Sequence, residues 1–284
     1  MWNILIEIWL EYMMKNYKFT IIANKYENSQ SLAKELRAKL LALKALEDTS
    51  FPDIVFIIGG DGTFLKAIHD YNNMLNTVKF VSFKCGNLGF YENFLNTEVD
   101  KVLMWIDKND NNLIVNKFSL LEVNINNKIL YAINEVKFVN LTTTLSCQVL
   151  INNQLFENFR GSGLVIATRT GSTGLMKSLG GAVLISNHNL MQFHEIAPVA
   201  NNSYRSLNSP LILDENHEIT LKNIQKDSKL SDFGKLIVDT FDFNDKLNDK
   251  VTIKLSELTL QVLEYRLNHY SLLAKVKKAF IQED

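Results

Sequence analysis

Three apolar runs in the first third of the chain have the length of strands: Tyr17–Ala23, Ile54–Ile58 and Val78–Phe83. The middle run is unbroken, which is typical of a strand buried on both faces of a parallel sheet. Leucines recur at helical spacing over Leu32–Leu43, and a second helix is predicted over Thr63–Tyr71. Because strands and helices alternate, we predict an N-terminal, Rossmann-like α/β domain.

The pattern changes after the polar stretch Asp107–Asn112. The apolar runs that follow are short and β-rich, and the Asn-Asn pairs between them suit hairpin turns. We predict a mainly β, β-sandwich-like second domain over residues 113–267. Leu272–Ile281 is predicted to form a helix that packs back on the first domain, which would then comprise residues 1–112 and about 268–284.

The composition is that of an ordinary globular protein, and it limits the kinds of partner and compartment that the chain is expected to have. It has 284 residues, enough for about two domains, with 46% apolar and 21% charged residues. A net charge of −1 gives no basic field, so no nucleic-acid partner is predicted. Cys85 and Cys147 are the only cysteines, which suits a reducing compartment, and the cytoplasm is the expected location. The sequence has no HExxH or CxxC pattern, and we assign no metal-ligating residues.

The first segment, Met1–Met14, is apolar enough to be compared with a signal peptide. It has no basic start, it carries two glutamates, and it is too short to span a bilayer, so we predict no membrane association. Met13 or Met14 is an alternative start, because a predicted strand follows almost directly. Otherwise the segment is an apolar helix for packing or self-association.

The end of the second strand is the strongest candidate for chemistry. Gly59-Gly60-Asp61-Gly62-Thr63, here called the glycine loop, follows that strand and opens the predicted helix. Glycines let the backbone approach a ligand, and amides at a helix N-terminus bind anions. Asp61 would repel phosphate there unless it takes part in the chemistry or has a metal beside it. Gly86–Phe90 follows another strand, and ligands of such sheets bind beyond these strand ends.

Five motifs, in their order and spacing, resemble those of ATP-dependent NAD kinases over about residues 15–265. The motifs are Gly59–Thr63, Gly86–Phe90, Asn134-Glu135, Arg160–Gly163, and Thr170–Thr173 with the following Ser178–Gly181. The first motif alone is shared with diacylglycerol and sphingosine kinases and, more loosely, with phosphofructokinases. The four that follow narrow the resemblance to the NAD kinases.

The resemblance implies transfer of the γ-phosphoryl group of ATP, carried with Mg²⁺, to the 2′-hydroxyl of the adenosine ribose of NAD. Asp61 would accept the proton of that hydroxyl or orient it in line with the phosphate. The amides of Gly60, Gly62 and Thr63 would hold phosphate oxygens, and Mg²⁺ would neutralise their charge. Lys66 would steer phosphate, with a solvated surface lysine as the equal alternative.

By the same resemblance, Asn134 and Glu135 would bind the ribose hydroxyls of NAD. The remaining residues around the dinucleotide would be Arg160, Ser162, Thr170, Thr173, Gly174, Leu175, Ser178 and Ala197. The resemblance also suggests a homo-oligomer, a dimer or a tetramer built from dimers, whose site can lie between subunits.

Departures from the family pattern cluster on the nucleobase side. Ser162 stands where aspartate is usual, and Gly174-Leu175 stands where Ala-Tyr is usual. Arg169 replaces a proline, and Thr240 replaces a glycine or histidine. We therefore predict altered affinity or selectivity for the dinucleotide, with the phosphoryl-transfer residues intact. Two alternatives stay open: a catalytically idle dinucleotide-binding or sensor protein and, less favoured, a related lipid kinase.

Overall fold

The computed structural model describes residues 17–85, 89–91, 93–111, 113–186, 188–202, 204–225, 234–243, 250–266 and 272–281. The N-terminal segment Met1–Met14 and the first part of the Gly86–Phe90 motif lie outside the described residues. The chain divides into two compact units: Met1–Lys117 with Leu260–Asp284, and Phe118–Thr259. The units therefore change at residues 117 and 259, where the sequence suggested 112 and about 267.

The first unit is an α/β fold built on a parallel sheet. Its first elements are β1 (Lys18–Ala23), α1 (Glu27–Ala42), β2 (Leu46–Glu47), β3 (Ile54–Gly59), α2 (Asp61–Asp70), β4 (Lys79–Lys84), β5 (Phe94–Leu95) and α3 (Val99–Asp107), with 3-10 turns at Asn72–Met74 and Asn96–Glu98. The strands lie in the order β2-β1-β3-β4, and every pair is parallel. All residues of β3 are buried, as the unbroken apolar run predicts.

Helix α1 covers one face of this sheet with part of the predicted leucine stripe. Leu36 and Leu40 are fully buried and pack in one core with Phe19 and Phe56 of the sheet. Leu43, which the periodicity included, follows the last residue of the helix and is 37% exposed. The helix ends one residue too early to bring that side chain onto the buried face.

The second unit consists mainly of antiparallel strands, as the sequence predicts. Its elements, of which the first and last strands extend into the first unit, are β6 (Leu113–Ile125), β7 (Lys128–Ala132), β8 (Glu135–Val139), β9 (Leu145–Ile151), β10 (Gln154–Thr168), α4 (Leu175–Ser178), β11 (Leu190–Pro198), β12 (Leu211–Asp214), β13 (Glu218–Gln225), β14 (Lys235–Val238), β15 (Phe241–Phe243) and β16 (Lys250–Tyr265). A 3-10 turn at Gly171–Thr173 precedes α4.

Strand β10 is the central strand of this unit. Its first part pairs with β9 as far as Gly161, and its second part pairs with β8 from Gly163 onward. Strand β11 pairs with it from Gly161 to Thr168. A strand whose halves have different partners is typical of sandwich-like β folds, because such strands switch between sheets. The core beneath it includes the fully buried Phe138, Phe159 and Phe193.

The Asn-Asn pairs form the hairpin turns that the sequence predicts. Asn126-Asn127 joins β6 to β7, with φ of 52° and 61°. Asn152-Asn153 joins β9 to β10, with φ of 49° and 65°. Two-residue hairpin turns of this kind need positive φ at both positions, and asparagine tolerates it better than other residues that carry a side chain.

The C-terminal segment returns to the first unit. The end of β16 pairs in parallel with β4, with Gln261 opposite Lys79. Helix α5 (Leu272–Phe280) then packs on that unit, and the rings of Phe280 and Phe90 stack at 5.8 Å. This return confirms the predicted fold class, an α/β domain followed by a mainly β domain with a C-terminal segment packed on the first.

Candidate active site

The glycine loop joins β3 to α2 as a tight turn with no room for side chains at its start. Gly59 has φ of +157°, and a Cβ added there would lie 2.3 Å from Thr63 Oγ1. The Thr63 amide, which was expected to hold phosphate, donates to the Gly60 carbonyl at 2.9 Å. Gly62 is exposed, with nothing within 4 Å of an added Cβ. The loop therefore keeps open space beside Gly62, in the first turn of α2, where amides have no partner within the helix.

Asp61 is the first residue of α2, and its carboxylate is held in one orientation by neighbouring backbone. Oδ1 accepts the amides of Phe90 and Tyr91 at 2.9 and 3.1 Å, and Oδ2 accepts the Phe90 amide at 3.1 Å. A carboxylate has about four acceptor positions, two on each oxygen. Oδ1 accepts two amides and Oδ2 accepts one, so the acceptor position that these amides leave open is on Oδ2. The segment with Phe90 and Tyr91, which follows β4 in the chain, thus orients the Asp61 carboxylate at the end of β3.

Lys66 lies in the second turn of α2 and forms an ion pair with Asp70. Its side chain is 60% exposed. This i,i+4 pair is the usual arrangement on a solvated helix face, and it corresponds to the surface-lysine alternative. Lys66 would have to release Asp70 before it could bind a phosphate group.

In the second unit, the Asn134-Glu135 turn and the Thr170–Thr173 turn lie directly against each other. The Thr168 amide donates to the Asn134 carbonyl at 2.8 Å. A Cβ added at Gly171 would lie 2.0 Å from that same carbonyl oxygen, so only glycine fits there. A Cβ added at Gly174 would lie 3.8 Å from Glu135 Oε2. Two motifs about 36 residues apart in the chain therefore form one surface.

Hydrogen bonds within the 3-10 turn hold most of its polar groups. Thr170 and Thr173 are buried, and the Thr173 hydroxyl donates to the Thr170 carbonyl at 3.0 Å. Gly174 and Ser178 are exposed, so they are the members of this group that a ligand can reach. Leu175 is half-buried and packs against the small core under α4, where the family pattern has tyrosine.

Asp239 fixes the Asn134-Glu135 turn from below, and the sequence did not identify this role. Its carboxylate accepts the amides of Ile133, Asn134 and Glu135 at 3.0, 2.7 and 3.1 Å. Burial raises the pKa of Asp239 to about 6, although the three amide bonds oppose the rise. An aspartate between two short strands is an ordinary turn residue in a sequence, so nothing distinguished it there.

Glu135 is buried close to this carboxylate, and Lys137 forms an ion pair with Glu135. Lys137 Nζ donates to Glu135 Oε1 at 3.1 Å and to the Asp239 carbonyl at 2.8 Å. Burial raises the pKa of Glu135, and the Lys137 charge opposes that rise. The cation therefore favours an ionised Glu135, the form that accepts hydrogen bonds from hydroxyl groups.

Arg160 and Ser162 lie near the middle of β10 and form a separate group with Ala197 of the neighbouring strand β11. The guanidinium of Arg160 lies 5.6 Å from the ring centroid of Tyr204, and Nε donates to Thr144 Oγ1 at 3.2 Å. Ser162 is half-buried, and Ala197 is exposed with φ of +45°, an uncommon conformation for alanine. Ser162 and Thr168 are six residues apart along one strand, which corresponds to about 20 Å.

The carboxylate of the glycine loop suits a metal ion that arrives with ATP. Among the described residues, no three His, Cys, Asp or Glu side chains lie close enough together to hold a metal ion. Mg²⁺ is usually bound by one or two carboxylates together with substrate phosphates and waters. Asp61 beside an open anion loop fits that mode, in which the ion is carried on ATP. Among the same residues, no helix has the length and hydropathy that crossing a membrane requires.

An anion loop with a fixed carboxylate is an arrangement that a nucleotide-dependent phosphotransferase requires. Residues 5–109 match the family described as ATP-NAD kinase N-terminal domain, and residues 126–264 match ATP-NAD kinase C-terminal domain. The chain belongs to the NAD kinase family.

Whole-chain relatives agree with this assignment. The NAD kinase of Latilactobacillus sakei is 34% identical, with 93% of this chain and 97% of its own covered. That of Shouchella clausii is 33% identical, with 94% and 100% covered. These relatives confirm the predicted function, an NAD kinase, and the predicted enzyme class, a phosphotransferase, and they support neither the idle protein nor the lipid kinase.

Solved structures show the same fold at low identity. Yeast NADH kinase complexed with NADH has a TM-score of 0.76 and 16% identity, with 95% of this chain and 89% of that chain covered. An NAD kinase from Archaeoglobus fulgidus in complex with ATP has a TM-score of 0.69 and 16% identity, with 92% and 98% covered.

Proposed function

We propose that the chain transfers the γ-phosphoryl group of ATP to the 2′-hydroxyl of the adenosine ribose of NAD, forming NADP. Asp61 takes the proton of that hydroxyl as the oxygen attacks phosphorus. The glycine loop binds phosphate oxygens through the amides of Gly60 and Gly62, with Thr63 and Lys66 beside them. The observation that carries this proposal is the Asp61 carboxylate, which two backbone amides hold in one orientation at the start of α2.

The dinucleotide is assigned to the second unit. Glu135 and Asn134 accept or donate hydrogen bonds at its ribose hydroxyls, next to the exposed Gly174 and Ser178. Thr170, Thr173 and Leu175 shape the same surface. Magnesium carried on ATP would supply positive charge that offsets the phosphate charge, with Asp61 as the carboxylate of the glycine loop.

We also propose that the enzyme is a homo-oligomer in the cytoplasm. Arg160 and Ser162 lie near the middle of β10, with Ala197 beside them on β11, and Ser162 is about 20 Å along the strand from Thr168, which precedes the Thr170–Thr173 turn. One dinucleotide that contacts both groups is more easily explained when the Arg160 group belongs to a second copy of the chain. The cytoplasm fits the two unpaired cysteines and the need for NAD and ATP.

One assay tests the proposed reaction. Purified protein is mixed with ATP, Mg²⁺ and NAD, and NADP is measured with a coupled NADP-dependent dehydrogenase. We expect NADP to form only when ATP and Mg²⁺ are both present, and chelation of Mg²⁺ to stop the reaction. Binding of NAD without any NADP formation at millimolar NAD would contradict the proposal and return the chain to the idle dinucleotide-binding alternative.

Leu175→Tyr is expected to lower the KM for NAD by about tenfold. An aromatic ring stacked on a base contributes about 1–3 kcal/mol, and leucine offers no such face. Leu175 is half-buried at the start of α4, so a longer side chain can extend toward solvent. Steady-state kinetics with NAD varied measures the effect, and an unchanged KM for ATP is the control. A KM for NAD that stays constant or rises would show that a missing stack does not limit binding.

A further inference from the structure

A lysine is almost completely buried in the C-terminal helix, far along the chain from the glycine loop. Lys275 lies on α5 and is 6% exposed, whereas lysines are almost never fully buried unless they are paired. Its Nζ donates to the Phe90 carbonyl at 2.6 Å and to Asn93 Oδ1 at 3.3 Å. Burial raises the pKa of Glu264, and the charge of Lys275 opposes that rise, so this carboxyl group lies near the ammonium.

The group that Lys275 binds is the same peptide group that binds Asp61. The Phe90 carbonyl and the Tyr91 amide belong to one planar trans peptide, so they point in opposite directions. Lys275 holds the carbonyl end at 2.6 Å, and Asp61 Oδ1 accepts from the amide end at 3.1 Å. The peptide therefore links the ammonium directly to the carboxylate and cannot rotate without breaking one of the two bonds.

Ring contacts fix the same segment on both sides. The Tyr91 ring stacks on Phe64 of α2 with 4.6 Å between centroids and an interplanar angle of 4°. The Phe90 ring stacks on Phe280 of α5. These contacts would be enough to pack the segment, and a methionine or leucine at position 275 would add to them at no cost in buried charge. The buried ammonium therefore has a polar role, because burying a charge is unfavourable unless its partners need it.

We propose that Lys275 is a positioning residue for phosphoryl transfer, which acts through the Phe90–Tyr91 peptide to orient the carboxylate of Asp61. This inference rests on the proposed role of Asp61. A cation on the carbonyl also polarises the peptide, which strengthens the amide's hydrogen bond to the carboxylate. Removing the ammonium leaves the carboxylate free to adopt orientations in which it does not face the reacting hydroxyl.

The first experiment compares Lys275→Met with Lys278→Met, which removes an exposed lysine from the same helix. We expect Lys275→Met to lower kcat by about tenfold, with the KM for NAD and for ATP changed by less than about threefold. Lys278→Met should match the wild type, and Lys275→Arg, which keeps a charged donor, should recover most of kcat. If Lys275→Met does not fold, Lys275→Gln carries the same comparison.

The second experiment introduces Lys275→Met into Asp61→Asn. A lysine that acts through the carboxylate should then have little further effect, less than about twofold, because the group that it orients is gone. The same fractional loss of kcat in both backgrounds would overturn the proposal, as would a full kcat in Lys275→Met alone. If Asp61→Asn itself keeps its activity, the proposed role of Asp61 fails instead, and the two failures are thereby distinguished.

Discussion

Asp61→Asn is expected to lower kcat for NADP formation by about a thousandfold, with the KM for ATP changed by less than about threefold. The ribose hydroxyl is a poor nucleophile until its proton is removed or shared, and an amide cannot accept that proton. Asparagine keeps the size of aspartate and one oxygen for the amides of Phe90 and Tyr91, so the surrounding turn should persist. Steady-state kinetics at saturating NAD and ATP measures the change.

Asp100→Asn is the control, since Asp100 is an exposed carboxylate in the first turn of α3 that pairs with Lys39. Both variants should unfold at nearly the wild-type temperature. A kcat for Asp61→Asn within tenfold of the wild type would remove the carboxylate from the proton transfer. The glycine loop would then act through phosphate binding alone.

The first unit could be predicted well from the sequence because its signals are local. An unbroken apolar run gives a buried strand, and leucines at helical spacing give α1. Leu43 continues the spacing but lies beyond the end of the helix. Periodicity indicates which face is buried, whereas the residue at which a helix stops depends on the turn that follows.

The candidate site was predicted as a set of motifs but not as a set of contacts. Asn134 and Gly171 belong to recognisable motifs. The structure shows why position 171 requires glycine, since a Cβ there would collide with the Asn134 carbonyl. Asp239 and Lys275 carry no motif, because a turn aspartate and a helix lysine are ordinary in a sequence. Their roles depend on partners more than a hundred residues away, which a single sequence does not reveal.

Asp239→Ala is expected to lower the free energy of unfolding by about 4 kcal/mol, because it leaves two buried amides and one partly buried amide without an acceptor, at roughly 1–3 kcal/mol each. The loss should also raise the KM for NAD, since the Asn134-Glu135 turn rests on this carboxylate. Chemical denaturation and steady-state kinetics measure the two effects. Asp242→Ala is the matched control, because Asp242 lies nearby on β15 and is exposed, 3.3 Å from Lys235. A cost within about 0.5 kcal/mol is expected for that exposed ion pair.

The same carboxylate should make stability depend on pH in a defined interval. Burial raises the pKa of Asp239 from its ordinary value of 3.8 to about 6, so the folded protein retains a proton that the unfolded chain releases. The free energy of unfolding of the wild type should therefore fall as the pH rises from about 4 to about 6, and the contribution of Asp239 should level off above that interval. Asp239→Asn cannot titrate, so the wild type should lose on the order of 3 kcal/mol relative to this variant across the interval. Parallel pH curves for the two proteins would show that the carboxylate titrates at its ordinary value, and that its three amide bonds offset the effect of burial.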